Sequence, residues 1–395
     1  MNIKSLLLGS AAALIAVSGA RAADAVVVAE PEPAEYVKIC DVYGAGYFYI
    51  PGTETCLRIG GYIRYDIGAG DVGSFDGART WDARTGKDQG TWSKNARFTL
   101  KTWTGQETEL GTLKTYTETR INFGNSNGYG STDGKTTAGP GTGGKVGNYA
   151  GRKPEELHFA WIQLGGLRVG KDESAFDTFV GYAGNVINDT IVPYGGFDTN
   201  VVQYYFDGGN GLSAVVSLEE GYGKFSIDSY VPHVVGGLKW TQGWGAISGV
   251  AAYDATYDEF AGKVRLDVNV SSALSLFVMG GYGSDSHLND TTNAIFTNGR
   301  GMYKLWAGNW AFWAGGTYKF NEKTSFNLQV SGDQEKNYGV AANVAYDIVP
   351  GFTVTGEVDY NHYGGFNDAS LTGGNWVNAN KLNSVGGILR FQRSF

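Results

Sequence analysis

The 395-residue chain carries 31 Lys and Arg against 39 Asp and Glu, a net charge of −8, which argues against a general nucleic-acid binder. Its 61 glycines, 8 prolines and 14% aromatic residues are odd for a soluble enzyme and suit short alternating strands joined by tight turns. Past the N-terminus no run approaches the ~18 consecutive apolar residues that a membrane-spanning helix needs.

Residues 1–22 read as a cleaved signal peptide: a positive start with Lys4, an apolar run from Leu6 to Val17, and the small-residue cleavage site Ala20-Arg21-Ala22. Cleavage removes Lys4 and Arg21, leaving 29 basic against 39 acidic residues, about −10. Residues 23–56 read as a periplasmic lead-in whose first part, with Pro31 and Pro33, is extended. Export places Cys40 and Cys56 in an oxidising compartment, where a disulfide closing roughly 15 residues stabilises by about 3 kcal/mol. The alternative, a thiol metal or redox site, lacks a nearby His or CxxC spacing.

From Leu57 to Phe395 the dominant period is two. Leu57, Ile59, Ile63, Tyr65 and Ile67 alternate with Arg58, Tyr62, Arg64 and Asp66. Phe98 and Leu100 alternate with Arg97, Thr99 and Lys101, and Ile121 and Phe123 with Lys114, Tyr116, Glu118 and Arg120. Short turns are expected near 104–106, 165–166, 208–211, 242–245, 271–273, 321–323 and 349–351. Between them fall mostly longer polar loops near 68–90, 124–153, 171–199, 220–232, 254–257, 284–300, 333–337 and 364–382. Seven turns and eight loops give sixteen strands, with both chain ends on the short-turn side. An even strand count with short turns on one rim predicts an all-β, transmembrane antiparallel β-barrel. The last strand places Val385, Leu389, Phe391 and the terminal Phe395 on one face, with Arg393 interrupting it and expected to reach lipid headgroups.

A sixteen-stranded barrel encloses an aqueous channel, so its inward charges decide what passes. Parity turns Arg58, Arg64, Arg97, Lys101, Lys114, Arg120 and Arg168 inward, on neighbouring strands that form one basic wall. Asp172, Glu173, Asp177, Asp189 and Asp198 fall in the loop at 171–199; folded into the barrel, they would face those cations across its narrowest point. For any single cation, a bland alternative is pairing with a carboxylate such as Asp66 or Glu118. Trp306, Trp310, Trp313, Phe312, Phe320, Tyr346 and Tyr360 fit aromatic girdles at the membrane interfaces.

Other motifs weigh against catalysis and cofactors. GPGTGGK at 139–145 resembles part of a phosphate-binding loop, but Val146 stands where Ser or Thr is required. No GxSxG elbow is present, and His158, His233, His287 and His362 lack metal-ligand spacing.

The stretch CDVYGAGYFYIPGT at 40–53 running into Cys56-Leu57-Arg58-Ile59-Gly60-Gly61-Tyr62, GLRVGKDESAFDTF at 166–179 and the ending RFQRSF resemble the alphaproteobacterial porin family, in its Brucella-type group 2 branch. The resemblance implies a bacterial outer-membrane porin, a homotrimer in a bilayer bearing lipopolysaccharide. It further implies an inward third loop and passive diffusion of small hydrophilic solutes and ions. The acidic balance points to a mild cation preference, which the basic wall opposes. A sugar-selective channel using Tyr62 and Tyr116 as a stacking track, and a non-conducting adhesin or receptor barrel, are the alternatives.

Overall fold

The computed structural model describes residues 38–70, 72, 77–82, 84–125, 137–138, 146–147, 150–284, 301–364 and 382–395. The expected signal peptide, the start of the lead-in, most of 124–153 with its GPGTGGK segment, and His287 lie outside these.

Sixteen long strands follow one another: β1 (Cys56–Gly70), β2 (Asp88–Thr108), β3 (Gly111–Gly124), β4 (Glu156–Leu164), β5 (Leu167–Glu173), β6 (Asp198–Gly209), β7 (Leu212–Glu219) and β8 (His233–Gln242). Then come β9 (Gly245–Asp254), β10 (Glu259–Asn269), β11 (Leu274–Gly283), β12 (Trp310–Lys319), β13 (Thr324–Asp333), β14 (Tyr338–Val349), β15 (Phe352–His362) and β16 (Asn383–Ser394). Each pairs antiparallel with the next, and β16 pairs back onto β1, Arg64 opposite Gln392 and Asp66 opposite Arg390. Closure leaves this sheet without an edge. Phe395 completes the seam, its N–H donating to Gly61 O at 3.0 Å while Gly61 N–H donates to Phe395 O at 3.0 Å.

The alternation does the sorting. Ile63, Phe98, Ile121, Val202, Val264 and Val358 are exposed on the outer face of the ring. Their strand neighbours Arg97, Asn122, Gln203, Lys263 and Glu357 are buried on the inner one. This is inside-out relative to a soluble barrel, as a bilayer requires. The tight turn between β6 and β7 holds Gly209, Asn210 and Gly211 at φ +71°, +50° and +80°, and a Cβ on Gly211 would lie 2.0 Å from Thr241 O.

Several expectations need correction. The first short turn lies at 109–110 instead of 104–106: Thr104 and Thr115 are cross-strand partners with hydroxyls 2.6 Å apart. Gly105, which reads as a turn residue, instead makes room for the Tyr43 ring, 2.7 Å from where its Cβ would stand. The third loop is shorter than 171–199, because β5 runs through Glu173 and β6 starts at Asp198. Asp172, Glu173 and Asp198 are therefore strand residues. Trp306 and Trp313 leave the expected girdle; both are fully buried inside, whereas Trp310, Phe312, Phe320, Tyr346 and Tyr360 are exposed. Arg393 turns back to donate to Pro350 O and Ser394 O. The disulfide is present, with Cys40 and Cys56 Cα atoms 6.0 Å apart, within ordinary disulfide reach.

Segment 174–197 lies against the inner faces of β7 to β15. It begins with one helical turn, α1 (Ala175–Thr178), capped by Ser174, whose side chain accepts from Phe176 N. Phe176, Val180, Val192 and Tyr194 cluster with Val215, Val235, Val250, Met279 and Trp313 from the wall and with Tyr303 and Trp306 from the connection between β11 and β12. Apolar residues on an inner face, which a water-filled interior would not favour, are accounted for by this cover.

Candidate functional site

The opposite wall, β16 with β1 to β5, keeps its charges. Arg64 and Arg97 are direct register partners. Arg64 Nε donates to Gln392 Oε1 at 2.9 Å and its guanidinium lies 4.8 Å from the Tyr62 ring. Arg97 Nε donates to Asn122 Oδ1 at 2.9 Å and Nη1 to the Tyr62 hydroxyl at 3.4 Å. Two like charges side by side on adjoining strands repel, and the surrounding amides and phenol offset part of that cost.

The other five expected cations behave differently. Arg120 and Lys101 share Glu118, at 2.7 and 3.2 Å, and the Tyr116 hydroxyl donates to the same carboxylate at 2.7 Å. Arg168 pairs with Asp172 at 2.8 Å and lies 4.0 Å over the Trp161 ring. Arg58 stacks over Trp103 at 4.7 Å, and Lys114 is exposed on the inner parity of β3. The neighbouring-carboxylate alternative thus describes Lys101, Arg120 and Arg168.

The acids divide as well. Asp177 forms a fully buried ion pair with Lys263 of β10, Nζ donating to Oδ1 at 2.5 Å. Burial pushes its carboxyl up to about 7 against the pull of that ammonium. Asp198 accepts from Lys171 at 2.5 Å, and Glu173 meets His158 Nε2 at 3.2 Å and the Tyr182 hydroxyl. Asp189 accepts from the Tyr194 hydroxyl at 2.6 Å. It lines, with Arg64, Arg390, Asn327 and Asn343, a cavity of about 530 Å³ bounded by segment 174–197 and the inner faces of β13 to β16 and β1. Among the expected acids, Asp189 is the one lining that space; Asp172, Glu173 and Asp198 are held at the ends of β5 and β6, and Asp177 pins α1 to β10.

Some inner residues went unnamed in the sequence reading. Lys263 also donates to Tyr194 O at 2.9 Å, and Arg265 donates to Tyr182 O at 2.6 Å, so β10 holds one side of the segment. Glu357 of β15 accepts from Ile187 N at 2.5 Å and Asn188 N at 2.7 Å, holding the other. Arg390 pairs with Asp66 at 2.7 Å. The alternation applied to the first five strands would have found them: Phe260, Val264 and Leu266 outward put Lys263 and Arg265 inward. His158, isolated by sequence spacing, comes together with Glu156 and Asp198, one ligating atom from each lying within 4.8 Å of the others.

Comparison with known proteins agrees with this construction. A family model described as a porin subfamily matches residues 24–388. Porin Omp2b of Brucella canis is 49% identical over 405 aligned residues covering all of both chains, and that of Brucella melitensis biotype 1 is 48% identical over the same span. Among solved structures, the outer membrane channel DcaP of Acinetobacter baumannii superposes with a TM-score of 0.58 at 16% identity, covering 88% of this chain and 99% of its own. The anion-selective porin from Comamonas acidovorans gives 0.51 at 12%, covering 87% and 100%. At such identities these two structures speak for the fold alone. With a family model across most of its length and full-length relatives half identical to it, the chain belongs to the porin family, β-barrel channels of the bacterial outer membrane for passive diffusion.

Proposed function

We propose that this porin passes small hydrophilic solutes and ions through a path bounded by Arg64, Arg97, Arg120 and Arg390 on one side and segment 174–197 on the other. The observation that carries this reading is the cavity whose lining joins Arg64 and Arg390 to Tyr182, Asn185 and Asp189. Cations on one side and a carboxylate on the other set up a transverse field that orients dipolar solutes. The short turns face the periplasm, as in bacterial outer-membrane barrels. The working unit is a homotrimer in a bilayer whose outer leaflet is lipopolysaccharide.

Single-channel recording in planar bilayers tests this. Large, ohmic, weakly selective steps are expected, occurring in threes; a purified, folded barrel without conductance would refute the reading. A sugar-selective variant of the function draws on the inner-wall rings Trp103 and Tyr116, stacked with centroids 5.4 Å apart beside Trp161. Block of the current by added sugars would favour it.

A further inference from the structure

Where β4, β5 and β6 reach the loop rim, four ionisable side chains converge. The register of β3 against β4 slips between Glu118 and Thr119: Glu118 pairs with Phe159 and Thr119 with Leu157, leaving His158 as an extra residue. Such a bulge changes which face a side chain takes. Phe159 and Trp161 face inward beside Tyr116, so unbroken alternation would send Glu156 and His158 into lipid. The bulge brings both inside.

His158 is buried, and its Nδ1 has no hydrogen-bond partner. That nitrogen lies 3.4 Å from Glu156 Oε1 and 3.7 Å from Asp198 Oδ1. A tetrahedral zinc-class ion holding nitrogen and oxygen at about 2.0–2.2 Å separates its ligands by about 3.4 Å. The other nitrogen, Nε2, lies 3.2 Å from Glu173 Oε1, and the Tyr182 hydroxyl donates to Glu173 Oε2. A carboxylate on the far ring nitrogen is the arrangement that orients a metal-bound imidazole, since it keeps the proton on Nε2 and the lone pair on Nδ1.

We infer that Glu156, His158 and Asp198 form a binding site for a zinc-class divalent cation in the channel wall, with Glu173 as the orienting group, and that occupancy lowers cation flow. Imidazole with carboxylates selects zinc, nickel or copper over calcium and magnesium, which take oxygen ligands. Lys171 Nζ stands 2.5 Å from Asp198 Oδ1, and Arg120 Nη1 stands 3.9 Å from Glu156 Oε1. An incoming ion competes with Lys171 for Asp198, so the site is tuned to moderate affinity. Because Tyr182 belongs to segment 174–197, the orienting carboxylate also touches the channel's narrowing element.

The effect on current rests on the proposed channel function; the binding does not. Cobalt(II) titrated into the full chain, refolded in detergent, should give the visible bands of a low-coordinate ion, saturating at one equivalent per barrel. His158→Gln and Asp198→Asn should each abolish the bands while keeping the folded barrel, and Lys171→Met should tighten binding about ten-fold. In bilayers, zinc should lower cation conductance, and a chelator should restore it. No saturable binding, binding unchanged in both ligand variants, or a current indifferent to zinc at saturating occupancy would each overturn the inference. A barrel silent before zinc is added fails as a channel instead, and the cobalt bands report on the site regardless.

Discussion

In the path proposed above, one side chain, Asp189, sets the charge that faces the basic pair. Burial pushes its carboxyl up to about 7, the Tyr194 hydroxyl opposes that rise, and the Glu357 charge adds to it. A raised carboxyl is neutral below that pH and negative above it. Cation preference should therefore climb as pH rises from about 6 to 8, and Asp189→Asn should flatten the curve. Reversal potentials in a salt gradient read this directly; a variant that tracks the parent across the range would remove Asp189 from the path. Arg64 and Arg97 act with the opposite sign. A unit charge about 4 Å from a passing ion in water contributes about 1 kcal/mol, so replacing both with Gln should raise the cation-to-anion permeability ratio several-fold. Arg120→Gln should push the same way, because it leaves Glu118 with Lys101 as its remaining cation. An unmoved reversal potential in the double variant would displace the basic pair from the narrowest part.

Segment 174–197 is held by many buried contacts, and the one fully buried ion pair among them is Asp177 with Lys263. Removing one member of a buried ion pair costs about 3–5 kcal/mol, since the other is left without its counter-charge and must stay buried unpaired or take up a proton. Lys263→Met should loosen the segment while the sixteen-stranded wall keeps its register. The expected result is a larger, noisier single-channel current with an unchanged barrel melting temperature; a quiet current of parental size would assign the anchoring elsewhere. The same segment marks where sequence stops being legible. Strands were readable because lipid outside and polar groups inside impose a period of two, which a loop lacks. Pro193-Tyr194-Gly195-Gly196 gave no hint that a Cβ on Gly195 would stand 2.3 Å from Asp177 Oδ1, or one on Gly196 2.5 Å from Met302 Sδ. Trp313 read as lipid-facing because nothing local reveals that Val192 O, 121 residues earlier in segment 174–197, accepts its indole N–H at 2.8 Å. Arg265 and Arg390 were within reach of parity. His158 was not, since a bulge reverses parity without a sequence mark of its own.

For the whole barrel, the inside-out arrangement makes a contrast that no soluble fold would share. On β15, Val358 is 64% exposed on the outer face, while Thr355, three residues away and of opposite parity, lines the cavity with Arg390. Arginine at an outer position near the bilayer midplane costs about 2–4 kcal/mol. Arginine at the inner position meets water, and the penalty there is electrostatic only. Val358→Arg should thus fold poorly into lipid vesicles, with a lower urea midpoint. Thr355→Arg should fold like the parent and instead reduce cation current, because a third cation joins Arg64 and Arg390 at the same cavity. The two readouts are complementary: stability answers to the outer face and selectivity to the inner one. Equal folding of both variants would mean that Val358 does not meet lipid, and an interface with a neighbouring subunit would then be the natural place for β15.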